Sequence, residues 1–290
     1  MYAEFARSTG RLAVLILILA AAATASAQEP LTYSMPPQSI AALVDAPLTP
    51  TVMISPDQQW MLLMQQPGLP PIEEVAAPEL RLAGLRINPR TNGPSRAGYF
   101  MSIAFKNIAD GSERQITGLP ENPKINSVTW SPDGSRIAFA VTFADRVELW
   151  SASLADAKAA RVTPTTLNAV YGGTYKWTSD SKTLIALTIP ANRGAAPAEV
   201  IIPTGPVIQE NLGKKRPAST FQDLLKNASD EAIFTHYTTS QIVRLTVDGA
   251  ATPLGSAGII AQATPSPDGK LILVETVHPP FSYMVPVHRF

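Results

Sequence analysis

The phrase "WSPDGSRIAFA", residues Trp130 to Ala140, is written four times along this chain, fresh or worn, and that repetition constrains the fold more than any other feature. The other copies are "ISPDQQWMLLM" (Ile54 to Met64), "WTSDSKTLIAL" (Trp177 to Leu187) and "PSPDGKLILVE" (Pro265 to Glu275). In each, a polar turn joins two extended apolar stretches. Proline presets φ for the first corner, aspartate bonds forward to the backbone, and glycine accepts the positive φ that closes a bulged hairpin. After the turn, Ile137, Phe139 and Val141 alternate with Arg136, Ala138 and Ala140, the period of two that marks a strand.

The interval from Ser131 to Thr178 matches one four-stranded propeller blade, whose period is roughly 40–50 residues. Ser55 to Ser131 exceeds one period by the length of an insertion, and Thr178 to Ser266 is close to two periods, as if an intervening turn had eroded. Further strands are expected over 98–107, 147–154 and 241–247, with Asp110-Gly111 and Asp248-Gly249 as hairpin turns. Thr117-Gly118-Leu119 and Pro253-Leu254-Gly255 resemble the segment that passes from one blade to the next. These signals predict an all-β fold over residues 28–290. It is a β-propeller of about five to six blades, closed or incomplete, with two irregular insertions near 67–97 and 190–231 and one short helix. The helix is expected from Thr220 to Glu231, capped by Thr220 with Asp223 completing an approximate capping box. Phe221, Leu224 and Leu225 would share its apolar face.

Residues 1–27 read as a leader rather than as part of the fold. Arg7 and Arg11 precede the apolar run Leu12 to Ala23, and Ala25-Ser26-Ala27 offers the small residues a signal peptidase reads. The run falls short of the roughly 20 residues that cross a bilayer. An exported chain is therefore expected, periplasmic or extracellular, with no membrane contact after cleavage. The sequence has no cysteine, which excludes disulfides, thiolate metal sites and a cysteine nucleophile. Its 23 basic and 23 acidic residues balance, so no basic face for nucleic acid is expected. His236, His278 and His288 are too scattered for a metal centre, and no cofactor is implied. His236 reads as a residue in or beside a strand, and Asn227-Ala228-Ser229 as an accidental glycosylation sequon.

The insertions carry a more specific signal than the repeat. Residues 70–96, "PPIEEVAAPELRLAGLRINPRTNGPSR", resemble bacterial and plastid glutamyl endopeptidases of the prolyl oligopeptidase family. So do "RGAAPAEVIIPTGPVIQENLGKKRPA" (193–218), "TFQDLLKNASDEAIFTHYTTSQ" (220–241) and "PSPDGKLILVETVHPPFSYMVPVHRF" (265–290), in the family's order. The chain departs from the family pattern at Ser219, where an arginine is usual, and at Phe221, which stands for a tyrosine. The resemblance implies a propeller that covers an α/β-hydrolase domain with a Ser-Asp-His triad. Such an enzyme admits peptides and cleaves after glutamate through an acyl-enzyme.

That chemistry requires a serine on a Gly-x-Ser-x-Gly elbow. Gly255-Ser256-Ala257-Gly258 has the wrong spacing, and Gly93-Pro94-Ser95-Arg96-Ala97 lacks the second glycine. Neither has a strand-turn-helix context, so no catalytic residue is assigned and the hydrolase domain is expected to lie outside this chain. Two readings stay open. In one, the chain is the substrate-gating propeller of a peptidase, inactive alone, with peptide substrates in the full-length parent. Arg86, Arg90 and Arg96 would then steer acidic peptides, or else merely pair with Glu73, Glu74 and Glu79 at the surface. In the other, it is a stand-alone periplasmic propeller that binds a protein partner, similar to the propeller of the Tol system.

Overall fold

The computed structural model describes residues 34–162, 165–198, 213 and 221–290. The leader, Ser219 and the expected cap Thr220 lie outside the described residues. The chain divides into two units, Met1–Ala46 and Pro47–Phe290. In the first, helix α1 (Gln38–Val44) buries none of its side chains.

The second unit is built of antiparallel strands. It opens with β1 (Thr51–Ile54) and β2 (Trp60–Gln65), followed by the short helix α2 (Ile72–Val75). Strands β3 (Leu80–Leu82), β4 (Leu85–Asn88) and β5 (Gly93–Pro94) come next, then β6 (Ser102–Asn107) and β7 (Glu113–Gln115). Strands β8 (Lys124–Trp130), β9 (Arg136–Thr142), β10 (Val147–Ser153) and β11 (Ala159–Arg161) form a complete meander. The chain continues through β12 (Tyr175–Trp177), β13 (Thr183–Thr188), helix α3 (Ala228–Thr238), β14 (Thr239–Thr246), β15 (Ala251–Pro265) and β16 (Ile272–Val277). Three blade-like sheets result, with orders β1-β2-β6-β7, β8-β9-β10-β11 and β12-β13-β14-β15-β16, beside the small sheet β3-β4-β5.

Three of the repeated turns lie between the first two strands of a sheet and the fourth between β15 and β16, and their backbones are alike. The fourth turn residue takes positive φ in every copy: Gln58 (60°), Gly134 (71°), Ser181 (57°) and Gly269 (69°). In each, the leading hydroxyl donates to the turn aspartate: Ser55 to Asp57 (2.5 Å), Ser131 to Asp133 (2.6 Å), Thr178 to Asp180 (2.6 Å) and Ser266 to Asp268 (2.5 Å). The same hydroxyl or its residue's backbone closes the far side of the loop, as where Arg136 N–H donates to Ser131 Oγ at 3.0 Å. Worn copies keep the geometry and bear the left-handed cost of a side chain. At Ser181 the side chain is used: Asp133 N–H donates to Ser181 Oγ at 3.0 Å, a bond from one blade to the next.

Strand β9 sets how the sheets stack. Its larger residues Ile137, Phe139 and Val141 pack with Leu62, Ile103 and Phe105 of the first sheet. Its smaller residues Ala138 and Ala140 pack on the opposite face with Leu184, Ala186 and Leu245 of the third. Both faces are covered, so the strand is apolar at every position from Ile137 to Val141. Thr117 joins neighbouring sheets by a parallel bridge to Lys158, as expected for a passage between blades. Strand β15, expected to hold such a passage at Pro253 to Gly255, instead runs on within one sheet, pairing first with β14 and then with β16.

Several expectations change. The described residues form three blade-like sheets rather than five to six, and those described between Thr178 and Ser266 supply strands of one sheet and no eroded second blade. That interval holds the second excursion and α3, which separate the paired strands β13 and β14. The helix begins at Ala228 rather than Thr220, with residues 221–227 non-helical. Asn227 is the cap: its Oδ1 accepts from Asp230 N–H at 2.9 Å, while Asp230 Oδ2 accepts from Lys226 N–H at 2.9 Å. His236, expected in or beside a strand, sits in the last turn of α3, three residues before β14 begins.

Nor are the two insertions merely irregular. They share a second core with the C-terminal segment, made of Leu82, Ala83, Ile87, Leu225, Ile233, Phe234, Phe281 and Val287. Gly84 N–H donates to Asp223 O at 2.9 Å and Val287 N–H to Ala83 O at 2.8 Å, stitching the three segments together. Phe221, which replaces the tyrosine of the family pattern, lies under the Arg289 guanidinium at 5.1 Å.

Candidate functional site

A cleft of 420 Å³ opens between the first excursion and the second sheet. Its walls include Glu73, Glu74, Arg90, Arg96, Tyr99, Lys124, Asn126 and Phe143. Strand β5 brings the excursion close to β10: a Cβ built on Gly93 would sit 3.3 Å from the Val147 Cγ2 methyl and 3.7 Å from Ala169 Cβ. Within the cleft, Lys124 Nζ lies 3.7 Å from Glu74 Oε2 and 5.2 Å from the centre of the Tyr99 ring. Burial, then the Glu74 carboxylate, push the Tyr99 phenol above its usual range, so it is a neutral hydrogen-bonding group at physiological pH.

The three arginines singled out in the sequence are not brought together. Arg90 and Arg96 line the cleft, and Arg90 has no carboxylate within 4.0 Å among the described residues. Arg96 Nε lies 3.9 Å from Glu79 Oε2, and Arg81 Nε binds Glu79 Oε1 at 2.8 Å. The Ser95 hydroxyl is the strongest influence lowering the Glu79 pKa, with burial opposing it and Arg81 and Arg96 assisting. Even so, Ser95 Oγ and Glu79 Oε2 do not complete a well-aligned hydrogen bond, so proximity rather than a formed bond describes the pair. Arg86 is engaged elsewhere: its Nε lies 3.1 Å from Asp223 Oδ2, tying the first excursion to the second. Glu73 and Glu74 therefore hold none of the three arginines in an ion pair.

A second polar centre, unnoticed in the sequence, surrounds Asn92. Asn168 is fully buried, and its Nδ2 donates to Tyr237 O at 3.0 Å and Thr239 O at 2.9 Å. Its Oδ1 accepts from Asn92 Nδ2 at 2.7 Å, and Asn92 Oδ1 accepts from Arg193 Nη1 at 2.5 Å. Arg193 Nη1 also points to His236 O at 3.5 Å, and its guanidinium carbon lies 5.9 Å from the Tyr237 ring centre. Burial lowers the Arg193 pKa, with the Tyr237 phenol acting weakly the other way, and burial together with Arg193 lowers that of His236. Asn92 and Asn168 stand far apart in sequence and neither belongs to a motif, so no local pattern announced the pair. Arg193 was visible only as the first residue of the second family-like segment.

Neither candidate serine acquires a triad. Ser95 follows β5 and Ser256 lies within β15, and among the described residues neither is hydrogen-bonded to a histidine. His278 Nε2 meets Thr276 Oγ1 at 2.9 Å instead. Among the described residues no cluster of histidine and carboxylate could hold a metal ion, and no helix is long and apolar enough to cross a membrane.

No family model matches the chain. A probable chloroplastic glutamyl endopeptidase of Oryza sativa subsp. japonica is 36% identical over 272 residues, covering 89% of this chain and 29% of that protein. One from Arabidopsis thaliana is 35% identical over 289 residues, covering 94% of this chain and 30% of that protein. Among solved structures, a prolyl endopeptidase overlays 80% of this chain and 26% of its own, at a TM-score of 0.43 and 12% identity. TolB from Acinetobacter baumannii overlays 79% and 46%, at a TM-score of 0.33 and 17% identity. Both overlays are loose. On these sequence matches the chain belongs with the glutamyl endopeptidase-like proteins, spanning 29–30% of the length of those relatives.

Proposed function

We propose that this chain is the propeller portion of an exported serine peptidase that acts on peptides containing glutamate, and that it is not catalytic by itself. The observation that carries the reading is the 36% identity to a probable glutamyl endopeptidase across 89% of the chain. The leader-like residues 1–27 support export, and the lack of a Gly-x-Ser-x-Gly elbow supports dependence on a hydrolase domain outside these residues. In this reading the blades restrict access to the hydrolase and the cleft at the first excursion meets arriving peptide. Arg90, Arg96 and Lys124 face Glu73, Glu74 and Glu121 across that cleft, and Arg90, with no carboxylate within 4.0 Å among the described residues, is the cation best placed to meet an acidic peptide. Arg86, engaged by Asp223, contributes less.

The test is to sequence the genomic DNA beyond the Phe290 codon. An open frame that runs on into a Gly-x-Ser-x-Gly elbow supports the peptidase reading, and a stop followed by unrelated sequence overturns it. Alongside, the 290-residue chain should take up no fluorophosphonate probe, whereas covalent labelling would contradict the claim that it is inactive alone.

A further inference from the structure

We propose that Arg193 is a receptor for the side-chain carboxylate of a bound acidic peptide, an assignment that rests on the peptidase reading and names what its propeller recognises. The argument begins with the fixed orientation of two amides. Asn168 Nδ2 is committed to two buried carbonyls, so its Oδ1 must face Asn92 Nδ2. Asn92 Nδ2 is then spent, also reaching Tyr237 O at 3.4 Å, and Asn92 Oδ1 is left to face Arg193. Two buried asparagines thus aim one guanidinium, and every acceptor that holds it is neutral.

No carboxylate lies within 4.0 Å of Arg193 among the described residues. Arginine stays protonated even where burial opposes it, and this half-buried cation, held only by neutral oxygens among the described residues, can take up an anion. The guanidinium has five N–H donors in a planar fork, and among the described residues only Nη1 is bonded. The remaining edge fits the two oxygens of a carboxylate. Approach is open, because Ala191, Asn192 and residues 194–198 beside it are exposed and mostly small. An extended peptide can lie there, and the name of the relatives points to glutamate as the acid it carries.

The experiment uses the whole 290-residue chain and a fluorescein-labelled peptide amidated at its C-terminus, with a single glutamate, against the same peptide carrying glutamine. Amidation removes the terminal carboxylate, so any preference comes from the side chain. Fluorescence anisotropy should show about 10–100-fold tighter binding of the glutamate form, the range expected for a charge-assisted hydrogen-bonded pair. Arg193→Gln should level the two peptides, and Arg193→Lys, which keeps the charge but loses the fork, should retain part of the preference. Thermal melts establish that each variant is folded; if Arg193→Gln is not, Arg193→Lys carries the comparison. Equal binding of both peptides by the unaltered chain overturns the assignment. So does an undiminished preference in either folded variant, and neither result touches the peptidase reading. Competition by free glutarate without any preference between the peptides would instead assign the site to a small free anion and also overturn the proposal. Conversely, a frame without a serine elbow beyond Phe290 would sink the peptidase reading while a glutamate preference lost in Arg193→Gln still stood.

Discussion

Phe139 and Phe234 are both fully buried, yet they reach the interior by different routes. Phe139 sits in a strand whose neighbours β8 and β10 follow within a few residues of turn, and its alternation with Ala138 and Ala140 sorts large from small side chains onto opposite faces. Phe234 lies on a helix whose buried positions, Ile233, Phe234, Tyr237 and Thr238, meet segments from the first excursion and from the chain's last residues. Its ring stands edge-on to Phe281 at 5.2 Å and to Phe290 at 6.3 Å. The blade core is assembled from local hairpins. The excursion core is assembled only when three distant segments meet, so its loop-closure cost is higher and its integrity depends on every one of them.

The sharpest way to test this contrast is a pair of truncations. Phe139→Ala should cost about 3–5 kcal/mol in chemical denaturation and loosen amide protection throughout the sheets. Phe234→Ala should cost a similar ~3–5 kcal/mol, but hydrogen exchange should rise first in α3, in β3 and β4 and around Phe281, with β9 still protected. Uniform loss of protection in both variants would merge the two cores into one cooperative unit. Next in size are two glycines with positive φ. A Cβ on Gly84 would meet Pro286 Cβ at 2.4 Å, so Gly84→Val combines a clash with backbone strain and should cost about 2–5 kcal/mol. Gly134 has no atom nearer than 3.6 Å to such a Cβ, so Gly134→Val should cost only the strain, ~1–2 kcal/mol. A larger loss at Gly134 than at Gly84 would reverse the view that the excursions are the tighter joint.

Smaller effects separate the worn turns. Gln58→Gly should stabilise the chain by about 1 kcal/mol, because it relieves a left-handed side chain that bonds nothing. Ser181→Gly relieves the same strain but removes the bond from Asp133 N–H, and its melting temperature should stay near that of the unaltered chain. Last is a pH effect. At Asp180 burial works to raise the pKa, but bonds from Thr178, Lys182 and Thr183 outweigh it and hold the carboxyl at about 2. A folded pKa below the unfolded value of 3.8 means its contribution is complete above that pH and is lost as pH falls towards about 2. Asp180→Asn should therefore flatten the acid limb of the stability curve between those values, and an unchanged limb would remove these bonds from the account.

The blades were legible because each hairpin is a local statement: Pro56, Pro132, Asp133, Gly134 and Gly269 state the turn, and Ile137 to Val141 state the strand. Where the reading failed, the determinants were distant. Residue spacing could not distinguish an eroded blade from an excursion between β13 and β14, because a missing turn motif looks the same in both. The helix start was misplaced because Thr220 offered a plausible cap, whereas Asn227 with Asp230 forms the real one. At the site, cations in a Pro-rich excursion marked Arg90 and Arg96, but not the Asp223 partner of Arg86, nor the buried Asn92 and Asn168 that aim Arg193.

Strand β15 carries a consequence for how such chains can change length. Ile259 belongs to the excursion core and Ile260 to a cluster with Ile185, Leu187 and Ile242, so adjacent residues serve opposite faces. Just upstream, between Leu254 and Gly258, three residues of β15 stand opposite one of β14, and this bulge sets which faces Ile259 and Ile260 present, since the side-chain period is two. The excursions tolerate drift in length because only their contacts need to close. The bulge over Gly255 to Ala257 is instead where the strand itself can take up a change in length, whereas one residue lost from the regularly paired run Gln262 to Pro265 would reverse the faces beyond it.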